Sequence, residues 1–319
     1  MNTIEKRIQE LYNYAPNTAA PSDLEDFWRD SLAQVGFEPE KASVMEVSTP
    51  FTGMKVQQVI YTGSDDTPLH AWYIRPAGME GHKLPCVVLF HGYTGGKGYP
   101  EQYASWLMLG VAVMAVDVRG QGGETGSHMN VGYGTVKGWL TQGILEPKCS
   151  YYHAITLDAL AAIHWAVNQP DVDTGSIAVC GVSQGGGLAL ITSALSEHVQ
   201  VCVANIPNMC HMDFGILHST SSLTEAAEFV HRFPQHYEQV LRTLSYFDLL
   251  HLAERIGIPT MLSVGLKDTV CMPETIFPVY NRISSTKRLE IYPFTGHAVE
   301  AYQQRKSAEY IMEHLRLSF

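Results

Sequence analysis

Gly181-Val182-Ser183-Gln184-Gly185 is the segment of this chain with the sharpest chemical meaning. A serine hydroxyl serves as a nucleophile when a tight strand-to-helix turn presents it, with small residues two before and two after relieving the crowding. The helix behind such a turn points unpaired N–H groups at the reacting oxygen. Here the apolar run SIAVC precedes the motif and the helical stretch QGGGLALITSALS follows it. In a chain with 27 glycines the pattern alone also fits a turn that packs a helix on a sheet. Its position between a buried strand and an apolar helix points to a nucleophile.

A serine needs a base, and the base needs an orienting acid. In this arrangement the partners follow in the order Ser, acid, His, each on the loop after a later strand. Asp268 stands in SVGLKDTV, after the run PTMLSV, and His297 in YPFTGHAVE, after RLEIYP. Fourteen histidines make residue type a weak guide, so position decides. His164 and His314 fall within helical stretches. His211, His218, His231 and His236, like Asp213 and Asp248, fall in a segment better suited to lining a pocket. Developing negative charge on the substrate oxygen calls for two preorganised N–H donors. The residue after the nucleophile, Gln184, supplies one, and Tyr93 in the loop His91-Gly92-Tyr93-Thr94-Gly95-Gly96 supplies the other. Neither GxxxxGK[ST] nor GxGxxG occurs there, which argues against a phosphate loop. His91 reads as a residue that holds its loop by hydrogen bonds rather than as the base. Arg119, in RGQGG, reads as a partner of a buried acid such as Asp117, with a substrate carboxylate as the alternative.

These residues need a sheet to gather them. PCVVLF (85–90), VAVMAVD (111–117), SIAVC (176–180), VCVANI (201–206), PTMLSV (259–264) and RLEIYP (288–293) are apolar runs without alternation, as in strands buried on both faces. Helical stretches separate them, which predicts βαβ units and a mostly parallel α/β sheet. Residues of about 44–75 alternate apolar and polar between turn residues and predict an antiparallel meander. Residues 1–40 predict a helical arm, with Ser22 or Asp23 capping its second helix. The segment of about 208–250 breaks the strand–helix rhythm and predicts an inserted helical cap. With no linker apparent, residues 1–319 are expected to form one domain.

Composition narrows the partners. Apolar residues make up 45% of the 319 residues, enough for a large core, and the formal charge of −11 argues against nucleic acid and anionic membranes. No stretch is long and apolar enough to span a bilayer, and the N-terminal residues lack the apolar core of a secretory signal. Cys86, Cys149, Cys180, Cys202, Cys210 and Cys271 are scattered without metal-ligand spacing and read as reduced structural thiols of a cytoplasmic protein. No metal and no organic cofactor is expected.

HGYTGG, VRGQGG, GWLTQGI, GVSQGG, TLSYFDL and GLKD, in this order, with SDLEDFW near the start and GHAVE near the end, resemble the acetyl xylan esterase and cephalosporin C deacetylase family, carbohydrate esterase family 7. The resemblance runs from about residue 5 to 316. It implies an α/β-hydrolase fold with Ser183, Asp268 and His297 as triad and the N–H groups of Tyr93 and Gln184 as oxyanion hole. It further implies deacetylation of small acetylated sugars, chiefly xylo-oligosaccharides, and of cephalosporin C, by a cytosolic hexamer built as a trimer of dimers. The chain departs from the family pattern at Ala298, where a Glu usually follows the catalytic His, and at Thr94, where Asn is usual. The cap matches only loosely. The rival expectations are a hydrolase of other short-chain esters or of peptides, and a binding homologue with impaired chemistry.

Overall fold

The computed structural model describes residues 1–33, 35, 42–130 and 137–315. Among them, nine strands form one sheet in the order β1-β2-β3-β5-β4-β6-β7-β8-β9. The expected meander is β1 (Ser43–Val47), β2 (Met54–Thr62) and β3 (Pro68–Pro76), paired antiparallel. β3 then runs antiparallel to β5 (Ala112–Val116). From there the sheet is parallel through β4 (Leu84–Phe90), β6 (Val172–Val182), β7 (Val201–Asn205), β8 (Thr260–Gly265) and β9 (Lys287–Tyr292). Parallel strands point their C-terminal ends to one edge, and ligands of open α/β sheets bind there.

The apolar runs fall where expected, with one difference. β5, β7 and β8 are buried throughout, whereas every residue of β9 is only half-buried. β9 is an edge strand, so it lacks a neighbour on one side. The stretch 100–110 is also less regular than a single helix: a 3-10 turn (Pro100–Tyr103) leads into the one-turn α3 (Ala104–Leu107).

One face of the sheet carries α4 (Tyr151–Val167) and α5 (Gln184–Leu195), both almost entirely buried. Two helices buried on all sides belong to the middle of a large core. The opposite face is covered by α3 and by α11 (Ala301–His314), whose Tyr310 and Ile311 pack on Val87, Ala178, Val203 and Met261. α10 (Pro273–Arg282) completes the first face.

The segment of about 208–250 is helical, as expected of a cap: α6 (Met212–His218), α7 (Thr224–Arg232), α8 (Tyr237–Ser245) and α9 (Leu249–Leu252). Asp248 organises it. Its carboxylate accepts from the N–H groups of His211 (2.8 Å), Met212 (2.7 Å) and Leu250 (2.9 Å). Burial nonetheless raises its pKa to about 7, against the pull of those donors.

The arm consists of α1 (Thr3–Asn13), closed by a capping box between Asn2 and Glu5, and α2 (Leu24–Leu32); its expected end, residues 36–40, lies outside the described residues. Trp28 is fully buried and donates to the Tyr246 carbonyl at 3.1 Å, while Phe27 packs edge-on against Phe247. Asp23 occupies the N-cap position of α2 but makes no side-chain capping bond. It accepts instead from the Tyr246 hydroxyl at 2.6 Å and pairs with Arg242, so a long-range partner replaces the local one. All six cysteines are free; five are buried and Cys149 is exposed. Among the described residues no helix is long and apolar enough to cross a membrane.

Candidate active site

Ser183 stands between β6 and α5 with φ 56° and ψ −117°. That backbone region is unfavourable for a side-chain-bearing residue, by about 1–3 kcal/mol, and persists only where the surroundings enforce it. They do so here. Ser183 N–H donates to the Asn205 carbonyl at 2.9 Å, and its own carbonyl accepts from Gly187 and Asn208. The glycines of the motif serve the same turn. A Cβ at Gly181 would overlap the Gly185 carbonyl, and one at Gly185 would overlap the Phe90 carbonyl of β4.

The loop after β8 brings Asp268 to the same edge, and the loop after β9 brings His297. His297 Nε2 lies 3.0 Å from Ser183 Oγ, and its Nδ1 lies 2.8 Å from Asp268 Oδ2. The network assigns the proton to Nδ1, which donates to Asp268, and leaves Nε2 to accept from the serine. The second carboxylate oxygen of Asp268 accepts from the N–H groups of Val270 (2.8 Å) and Cys271 (3.0 Å). The Asp268 side chain is fully buried and that of His297 is 27% exposed. Solvent and substrate therefore approach from the histidine side. Cys271 Sγ lies 3.9 Å from Ser183 Oγ, and burial raises its thiol pKa, which keeps it protonated. Ala298 and Glu300 are exposed, and among the described residues Glu300 makes no hydrogen bond to this group.

The two candidate oxyanion donors are unpaired. Among the described residues, neither the Tyr93 nor the Gln184 N–H has a hydrogen-bond partner. Gln184 opens α5, where the first N–H groups have no acceptor within the helix. Tyr93 lies in a loop with Thr94 at φ 67°. His91 holds that loop: its Nε2 accepts from Val118 N–H at 2.9 Å and its Nδ1 sits 2.7 Å from the Gly92 carbonyl. Burial lowers its pKa, consistent with a neutral ring in this role.

Gln121, which sequence reading passed over as part of a glycine turn, joins the two donors from behind. Its side-chain oxygen accepts from Thr94 N–H (2.9 Å), and its amide donates to the side chains of Gln184 (2.9 Å) and Tyr151 (2.8 Å). The available signal was a polar residue among glycines at the C-terminal end of a buried strand. Arg119 does not pair with Asp117. It binds Asp158 of α4 and Asp65 of the β2–β3 turn, at 2.5 and 2.6 Å, and is wholly buried. Burial opposes its charge, but the two carboxylates outweigh that and raise its pKa. Asp117 is taken by Lys97, at 2.8 Å. The pairing follows from α4, which packs directly beneath Arg119 and leaves Asp117 to the loop above.

The chain is similar to known proteins along almost its whole length. The acetyl xylan esterase family model matches residues 1–314. An acetyl xylan esterase from Paenibacillus sp. R4 superimposes with a TM-score of 0.93 at 35% identity, over 97% of this chain and 99% of that one. Acetyl xylan esterase 1 from Thermoanaerobacterium sp. JW/SL YS485 gives 0.89 at 29% identity, over 96% and 98%. Acetyl esterase Axe7A of Xylanibacter ruminicola is 25% identical over 88% of this chain, which spans 64% of that protein's length. With an α/β-hydrolase sheet beneath the site and a family match across almost its whole length, the chain belongs to the acetyl xylan esterase family of carboxylic ester hydrolases.

Proposed function

We propose that the protein is a serine esterase that removes acetyl groups from small acetylated carbohydrates. The observation that carries this reading is the continuous chain Asp268–His297–Ser183, at 2.8 and 3.0 Å, beside two unpaired N–H groups. Ser183 Oγ attacks the acetyl carbonyl carbon while His297 Nε2 takes the hydroxyl proton. Asp268 holds the Nδ1–H tautomer and stabilises the imidazolium. The Tyr93 and Gln184 N–H groups receive the oxyanion, each worth on the order of 3 kcal/mol. The intermediate collapses, and His297 protonates the departing sugar oxygen. Water then attacks the acetyl-enzyme, giving up its proton to His297, and acetate leaves as Ser183 regains its hydroxyl.

Acetylated xylo-oligosaccharides are the proposed main substrates, in line with the names of the solved relatives, and cephalosporin C is a further one on the motif resemblance alone. The same resemblance supports a cytoplasmic homo-hexamer, and exposed Met108, Leu217, Phe294 and Tyr302 supply apolar surface for assembly. The test is acetate release from acetylated xylo-oligosaccharides, glucose pentaacetate, cephalosporin C and N-acetyl sugars by wild type and Ser183→Ala. The esters are expected to react and the variant to lose on the order of 10⁴-fold or more in kcat. Equal activity in both proteins, or release from the N-acetyl compounds alone, sinks the reading.

A further inference from the structure

The Tyr93 side chain reaches from the oxyanion loop to the cap. Its hydroxyl donates to the Glu225 carboxylate, 2.8 Å from both oxygens, and accepts from Trp139 N–H at 3.0 Å. Glu225 lies on α7, is 5% exposed, and also accepts from Leu140 N–H at 3.1 Å. The Trp139 ring meets the Tyr93 ring edge-on, with centroids 5.3 Å apart. Gly138 has φ 60°, and a Cβ there would collide with the Glu225 carboxylate, so the turn is shaped around that group. Among the described residues Glu225 forms no salt bridge, Lys137 pairing directly with Glu228, and burial raises the Glu225 pKa against the pull of its donors and of Lys137. A buried carboxylate without a direct ion pair is expensive to keep for stability alone.

We propose that Glu225 is a positioning residue for catalysis: through the Tyr93 hydroxyl it fixes the Tyr93 N–H in the oxyanion hole, which makes the cap a working part of the acyl-transfer site. The cap is tied to the acid loop as well, because Thr220 N–H donates to the Thr269 carbonyl (3.1 Å) and the Ser219 hydroxyl to that of Val270 (2.9 Å). Cap position thus acts on both the oxyanion donor and the acid that orients the base.

This role rests on the serine-esterase reading, and the experiment separates the two. With p-nitrophenyl acetate, Glu225→Ala is expected to lower kcat about tenfold while KM stays within about twofold, because a donor moved off line weakens only the transition state. Affinity for an aryl trifluoromethyl ketone, whose adduct with Ser183 carries an oxyanion, falls by the same factor. Tyr93→Phe keeps the N–H but loses the hydroxyl and lowers kcat similarly. The double variant is no worse than the worse single one, since both changes break one link. Glu225→Gln keeps one acceptor oxygen and falls between wild type and Glu225→Ala. A folded Glu225→Ala within twofold of wild type in kcat, or additive losses in the double variant, overturns the role. If Glu225→Ala does not fold, unchanged kcat in Tyr93→Phe overturns it. A wild type with no Ser183-dependent hydrolysis overturns both readings.

Discussion

Beneath the sheet edge and within the helical layer of arm, cap and the first turn of α4, the molecule buries polar groups by opposite means. At the sheet edge two buried carboxylates outside the triad have cations: Asp117 has Lys97, and Asp158 shares Arg119 with Asp65. In the helical layer, Asp248 and Glu225 rely on N–H and O–H donors and form no salt bridge among the described residues. His153, also in that layer, meets the neutral Ser31 hydroxyl 2.9 Å away. In that layer burial raises the pKa of Asp248 to about 7 and lowers that of His153 to about 4, with no opposite charge in direct contact to offset it. The cluster beneath the edge that presents Ser183 and His297 is therefore held by ion pairs, and the layer that shapes access to it is held by neutral donors.

Breaking one pair at the edge is the strongest test of that contrast. Arg119→Met leaves Asp158 and Asp65 without their cation, and removing one partner of a buried pair is expected to destabilise by about 3–5 kcal/mol. Urea unfolding at pH 7 measures it. A loss below about 1 kcal/mol would mean that solvent reaches this cluster and that the two regions do not differ as described.

The pairing at Arg119 also shows where sequence reasoning stops. The triad was legible because each member sits at the C-terminal end of a strand that announces itself as an apolar run: SIAVC before Ser183, PTMLSV before Asp268, RLEIYP before His297. A parallel sheet delivers all such ends to one edge, so chain order alone brings distant residues together. Arg119 was correctly read as structural but given the adjacent acid. Asp158 comes 39 residues later, and only the packing of α4 makes it the partner. Asp23 was misjudged for the same reason, since Tyr246 lies 223 residues away. Glu225 stands in TEAAEF, within the segment read only as a helical cap. Nothing local reveals that Tyr93 and the 138–140 turn close over it. What the sequence withholds is the identity of long-range polar partners, which depends on how helices seat against one another.

The next largest effect is acid sensitivity of the helical layer. Burial lowers the pKa of His153 to about 4, so the folded protein resists the proton that the unfolded chain accepts near 6.5. A depressed folded pKa contributes stability that is present above pH 6.5 and lost as pH falls through 4. The full span is worth about 3 kcal/mol. Asp248 acts with the opposite sign. Its raised pKa of about 7 means that its contribution is complete below the ordinary carboxylate range and lost as pH rises through 7. The wild-type profile sums both, so the measurement is the difference between wild type and His153→Gln from urea unfolding at pH 7 and pH 4. That difference should shift by about 3 kcal/mol in favour of the variant at the lower pH. A constant difference across the range would show that His153 titrates normally, and the contrast would lose its clearest member.

The smallest effect separates burial from hydrogen bonding as the origin of that sensitivity. Ser31 Oγ donates to the Phe27 carbonyl at 2.7 Å and meets His153 Nε2 at 2.9 Å. Ser31→Ala removes both contacts and is expected to destabilise by about 1 kcal/mol at pH 7. Its acid limb should nevertheless match that of wild type, because the desolvating surroundings of Phe27, Trp28 and Phe247 remain in place. If the limb flattened instead, the neutral hydroxyl rather than the apolar packing would be what disfavours the charged imidazole. The helical layer would then differ from the sheet edge in its hydrogen-bond partners and not in how dry it is.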